Sequence, residues 1–179
     1  PPGCPQWQDL FSTHIFSDPD VAGDWMVGNL NRRDIAEIIS EYIHIEVSEI
    51  LKTMELGCEN LKMNKAVLDF ALAQKDQGRK TALVTANMDV FSDIVVPCHN
   101  LETKFDVIVN SSDYGEIDKN VLWPIAFDSL GDGFQYSTSL LIEDGTKEPE
   151  MFRKNGGVAH QYFNDEQLLQ WLNSEGYTY

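Results

Sequence analysis

Three short segments of this chain end in side chains able to do chemistry. The first closes with Thr85, Ala86 and Asn87. The second is followed by Asn110, Ser111, Ser112 and Asp113, with Lys119 a few residues on. The third closes with Glu143, Asp144 and Gly145. Together they present a hydroxyl, an ammonium and a pair of adjacent carboxylates. Two neighbouring carboxylates at a strand end are costly unless a cation or hydrogen bonds compensate. Oxygen-rich ligands of this kind suit magnesium, so Asp144 is the expected metal ligand, with Glu143 sharing or replacing it.

The elements that must position these groups follow from the pattern. Thr81 to Thr85, Phe105 to Val109 and Ser139 to Ile142 are short apolar strand-like runs, and Val158 to Tyr162 is a fourth. Between them lie helical stretches: Met88 to Val96 ended by Pro97, Val121 to Leu130 with Pro124 near its first turn, and Glu148 to Asn155 closed by Gly156-Gly157. Asn164 with Gln167 caps a last helix with Leu168, Leu169, Trp171 and Leu172 on its buried side. Strands alternating with helices of about ten residues predict a parallel sheet covered on both faces, and ligands bind outside the carboxyl ends of such strands.

The N-terminal part has a different texture. Gln6 to Phe16 is weakly amphipathic, and Asp18-Pro19-Asp20 breaks it. Asn31 with Asp34 opens a helix carrying Ile35, Ile38, Ile39 and Tyr42 on one face. Glu46 to Leu56 is another, and Asn64 caps a third that stops at Gly78. Residues 1–78 therefore read as a helical region and residues 79–179 as an α/β layer.

Composition narrows the function classes. Of 179 residues, 42% are hydrophobic and 23% charged, ordinary for one globular domain. The net charge of −16 repels phosphate backbones and anionic membranes at long range, which argues against nucleic acid or a membrane surface as partner. It leaves room for a small phosphorylated substrate, because a divalent cation inverts the local charge. Cys4, Cys58 and Cys98 show no zinc-ligand spacing, which points to a reducing, cytoplasmic setting. Apolar runs such as Leu140 to Ile142 fall far short of the roughly 20 residues a membrane span needs. Pro1 to Pro5 does not resemble a signal peptide. Serine-hydrolase and nucleotide-binding fingerprints are absent.

In order and spacing these segments resemble the haloacid dehalogenase-like (HAD) superfamily, mostly phosphatases and related phosphoryl-transfer enzymes. Leu83-Val84-Thr85-Ala86-Asn87 is similar to its second motif, Lys119 stands at the place of its third-motif lysine, and Leu141-Ile142-Glu143-Asp144-Gly145 through Gly156-Gly157 resembles its fourth. Trp25 and Gly28-Asn29-Leu30, leading into the Asn31 helix, look like the small helical cap of one subclass. The likeness runs from about Asp9 to Tyr179. It implies a HAD-like Rossmannoid sheet with a helical cap and magnesium-dependent hydrolysis of a small phosphate ester through an aspartyl-phosphate. Thr85, Asn87 and Lys119 would bind the phosphoryl group, with Asp144 and Glu143 on the metal. A dehalogenase shares this fold and nucleophile.

One motif departs from the family. Its first motif is an apolar strand ending in Asp-x-Asp, and the sole DxD here is Asp18-Pro19-Asp20, preceded by a poor strand. Asp18 and Asp20 as nucleophile and acid stand beside a plain loop turn, and the expectation is that the nucleophile strand lies upstream of Pro1. Its absence would leave inner sheet edges to be filled by N-terminal residues or by a second copy of the chain, a homodimer. A non-catalytic HAD-like fragment that binds a partner is therefore the rival reading.

Plainer roles stand beside the chemical ones. Thr85 can satisfy a backbone group, Lys119 can be a solvated helix-start lysine, and Glu148 can simply favour a helix N-terminus. The four histidines, the cysteines and Trp25, Trp123 and Trp171 read as packing or surface residues.

Overall fold

The computed structural model describes residue 9 and residues 11–177, so Cys4, Pro1 to Pro5 and the start of the Gln6 to Phe16 segment lie outside the described residues. The chain groups into two compact units. The first comprises Pro1–Leu61, Val84–Glu102 and Val109–Asp118; the second comprises Lys62–Leu83, Thr103–Ile108 and Lys119–Tyr179.

In the first unit a π-helical turn, Ser12–Phe16, precedes α1 (Pro19–Met26), α2 (Arg32–Ile43) and α3 (Val47–Glu59). The start of α2 is a full capping box. Asn31 Oδ1 accepts from the Arg33 and Asp34 amides at 2.8 and 3.3 Å, and Asp34 returns a carboxylate to the Asn31 amide at 2.8 Å. The apolar stripe of α2 then closes on its neighbours: Ile15, Trp25, Ile35, Ala36, Ile39, Ile50 and Met54 form one buried cluster. Each such side chain contributes about 1.5–3 kcal/mol relative to exposure, which is what holds helices this short.

The break expected at Asp18-Pro19-Asp20 is present, since the preceding turn ends at Phe16 and Asp18 is extended. The helix α1 that begins directly after Asp18 is not an expectation of the sequence. The same tripeptide starts that helix. Asp18 Oδ1 accepts from the Asp20 and Val21 amides at 3.1 and 3.3 Å, and Pro19 occupies the first turn, where its missing N–H costs nothing.

The second unit holds α4 (Lys65–Asp76), whose Asn64 cap accepts from the Val67 amide at 3.1 Å. It also holds α5 (Lys119–Leu130), α6 (Glu148–Lys154) and α7 (Asp165–Ser174), the last capped by Asn164 as expected. Phe70 of α4 packs with Leu168 and Leu172 of α7. Trp123 of α5 meets Tyr136 and Phe152 edge to face, and Phe127 meets Tyr136 likewise, with centroids 5.1–6.1 Å apart. Pro124 lies inside α5 rather than in its first turn. The flanking residues Leu122, Trp123 and Ala126 are at most 2% exposed, and their burial offsets the lost helical hydrogen bond. Pro97 likewise does not end its helix: a π-helical turn, Phe91–Val95, passes into a short helix, Val96–Cys98, with the proline in its first turn.

The strands are β1 (Ala82–Thr85), β2 (Val107–Asn110), β3 (Leu140–Glu143) and β4 (Val158–Gln161). β3 and β4 pair in parallel from Leu140 opposite Val158 to Glu143 opposite Gln161, and α6 is the crossover packed on both. β1 pairs with β2. The one parallel sheet expected from the sequence is thus, among the described residues, two sheets of two strands. Strands of four residues need such packing partners, since isolated pairs are marginal in water. No described helix is long and apolar enough to cross a membrane.

Candidate functional site

β3 delivers its acids because its last residue is Glu143 and the chain then turns through Asp144 and Gly145 before α6 begins. Glu143 Oε1 accepts from the Asp144 and Gly145 amides at 3.1 and 3.2 Å. Burial, and next a hydrogen bond shared with the Asp144 side chain, hold the Glu143 carboxyl above its ordinary range; the Gly145 amide and Lys119 oppose them. Glu148, in the first turn of α6, folds back over the turn, and a Cβ added at Gly145 would collide with its carboxylate.

Lys119 is the first residue of α5 in the same unit. Burial pushes its ammonium below the ordinary lysine value, against the pull of Glu143, Glu148 and Asp144 in that order. The structure therefore gathers four of the sequence candidates, Lys119, Glu143, Asp144 and Glu148, into one electrostatic group. Among the described residues no three His, Cys, Asp or Glu side chains are grouped to hold a metal ion by themselves.

Thr85 and Asn87 belong to the other unit. Thr85 ends β1 and is partly buried. The Asn87 amide donates to Ser111 Oγ at 2.8 Å, and Ser111 Oγ donates to the Met26 carbonyl at 2.7 Å. Asn110, fully buried at the end of β2, donates through Nδ2 to the Met88 carbonyl, Ser92 Oγ and Ser112 Oγ at 2.9–3.0 Å. Asp18 caps α1 and Asp20 lies in its first turn, so neither ends a strand.

Sequence reasoning did not single out Asp89. Its Oδ1 accepts from Trp25 Nε1 at 2.7 Å and its Oδ2 from the Arg32 amide at 2.9 Å, which joins the segment after β1 to the start of α2. An acid four residues beyond Thr85 was the available signal. The histidines take the packing roles expected of them: His14 stacks on Tyr42, His160 stacks on Trp171, and His99 meets the Cys58 carbonyl. Trp25 and Trp123 are buried.

No family model matches the chain, and no curated protein matches it in sequence. Solved structures do. A HAD family enzyme from Bacteroides thetaiotaomicron superposes with a TM-score of 0.69 at 13% identity, covering 92% of this chain and 83% of that one. A predicted HAD-like family hydrolase from Porphyromonas gingivalis gives 0.68 at 14% identity, covering 94% and 87%. The Bacteroides enzyme has also been solved in complex with magnesium and inorganic phosphate; that structure gives 0.63 at 12% identity, covering 88% and 80%. The chain has the HAD-like α/β fold.

Proposed function

We propose that this chain is a HAD-type hydrolase acting on a small phosphate ester with magnesium. One observation carries the reading: the half-buried Lys119 ammonium is held within the field of Glu143, Glu148 and Asp144 at the end of a parallel strand. Such a group costs free energy as it stands, and a bound phosphoryl–metal pair would relieve it. Lys119 would neutralise charge developing on the transferred phosphoryl. Glu143 and Asp144 suit magnesium, which takes one or two carboxylates and completes its shell with substrate phosphate and water. When bound, the metal would supply positive charge to the phosphoryl oxygens. The magnesium and phosphate seen with the Bacteroides enzyme support this choice of ligands.

The test is turnover of p-nitrophenyl phosphate with magnesium and with EDTA, together with calorimetric binding of magnesium. Lys119→Met lowers kcat/KM about 10²–10³-fold by the measure of other charge-stabilising donors. Asp144→Asn lowers magnesium affinity. Unchanged values in both variants overturn the assignment. Asp18→Asn tests the nucleophile: loss of turnover with the fold retained would give Asp18 that role.

A second reading, a HAD-like protein that binds a phosphorylated molecule without turning it over, is favoured by the engagement of Asp18 as a helix cap. Binding of inorganic phosphate weakened by Lys119→Met, with no hydrolysis at any magnesium concentration, would select it.

A further inference from the structure

Cys58 and Cys98 lie in the same compact unit: Cys58 is in the last turn of α3, which packs on the π-helical turn Phe91–Val95, and Cys98 ends the short helix that continues that turn. His99, the residue after Cys98, places Nε2 3.3 Å from the Cys58 carbonyl oxygen and donates to it. That contact brings the backbone of Cys58 within one side chain of the residue that follows Cys98. Both thiols are free. Their surroundings differ. Cys98 is exposed, whereas Cys58 is half-buried and lines an apolar hollow of about 200 Å³ with Trp25, Met54, Leu61 and Val90. We infer that Cys98 and Cys58 form a reversible disulfide on exposure to a peroxide, with Cys98 as the attacking and Cys58 as the resolving thiol.

The order of events follows from access. The Cys98 thiolate attacks one peroxide oxygen; the S–O bond forms, the O–O bond breaks, and the departing hydroxide takes a proton to leave as water. The Cys58 thiolate then attacks the Cys98 sulfur. The S–S bond forms, the S–O bond breaks, and the second hydroxide leaves as water once protonated. Two thiols are oxidised and one peroxide is reduced to two waters. Burial first, and then the neighbouring Cys98, push the Cys58 thiol up, which keeps it protonated and unreactive toward the oxidant until Cys98 has been activated. A disulfide needs Cα atoms about 4.4–6.8 Å apart. The Cys98 side can adjust, because it ends a three-residue helix and Asn100 follows in a left-handed turn at φ 51°. The bond would tie the end of α3 to the segment that follows β1 and carries Asp89 and Val90.

The experiment uses the full chain with Cys4→Ser, so that the third thiol takes no part. Hydrogen peroxide in modest excess is followed by peptide mass spectrometry without reduction. The expected product is a single Cys58–Cys98 cross-linked peptide, two hydrogens lighter than the reduced pair, which dithiothreitol reverses. Cys58→Ser then leaves a sulfenic acid at Cys98 that dimedone traps, and Cys98→Ser leaves Cys58 unlabelled under the same treatment. Oxidation of Cys98 to sulfinic acid with no cross-link in the Cys4→Ser protein overturns the inference, as does dimedone labelling of Cys58 in Cys98→Ser. Circular dichroism of each variant, matched to the parent chain, shows that the fold is intact when the chemistry is read.

Discussion

The carboxyl ends of β2 and β3 are built from polar residues in opposite ways. After β2 the buried groups are neutral and engaged by structure: the Asn110 amide nitrogen faces three acceptors, and Ser111 bridges Asn87 to Met26. Asn110 and Ser111 have no exposed surface. After β3 the groups are charged and under-compensated: Glu143 is held protonated more readily than usual, and Lys119 less so. The first end is a joint, in which the Asn110 amide nitrogen and the Ser111 hydroxyl are engaged by protein partners while Asn110 Oδ1 is buried without one. The second is the proposed site, where burial raises the pKa of the Glu143 carboxyl and lowers that of the Lys119 ammonium beside it. Polar residues at a strand end thus mean different things according to whether their partners come from the protein.

Three variants break or sharpen this contrast. The largest effect belongs to the joint. Gly28 sits at φ +76°, and a Cβ there would collide with the Ser112 carbonyl. Gly28→Ala therefore costs roughly 3 kcal/mol or more of unfolding free energy through a strained backbone and a steric clash, read by urea denaturation. A loss below about 1 kcal/mol would show that the joint yields easily.

Asn110→Ala comes next. It leaves the Met88 carbonyl and two hydroxyls without their donor, at a cost of about 2–3 kcal/mol at any pH near neutrality, read by the same titration. A phosphate-binding defect with unchanged stability would move Asn110 from joint to site.

The smallest effect, and one of opposite sign, belongs to the site. The folded-state pKa of Glu143 is raised, so the folded protein binds this proton more tightly than the unfolded chain. The favourable contribution is fully present below the unfolded carboxylate pKa and is lost as pH rises through the higher folded value. At neutral pH the ionised carboxylate is a liability. Glu143→Gln should therefore stabilise the protein by about 0.5–1 kcal/mol at pH 7, after allowance for solvent screening, and by nothing in acid. Thermal unfolding across pH checks this. Equal stabilities of parent and variant at neutral pH would place Glu143 among the satisfied groups.

Much of the architecture was legible because its signals are local. The Asn31 capping box, the Asn64 and Asn164 caps and the left-handed Gly78 stop need only neighbouring residues, and each stands where the sequence put it. The two prolines misled because their cost was judged without context: burial around Pro124 and a fresh helix start at Pro97 absorb it. The Asp18 cap was equally local, but its DxD spelling drew attention to chemistry instead of to the Asp-Pro helix start it also spells. The bonds of Asp89 are not legible in the sequence, because its partners Trp25 and Arg32 lie 64 and 57 residues away along the chain.

The linear chain by itself determined the alternation of strand and helix, the capping residues and the acids at the end of β3, since each depends on periodicity or on bonds across a few residues. Tertiary structure alone decided which of those polar groups are satisfied. Glu143 and Asn110 both end strands. Only the packing around them, by aligning acceptors on the Asn110 amide nitrogen and half-burying the Glu143 carboxyl, makes Asn110 a structural joint and Glu143 an acid that holds its proton.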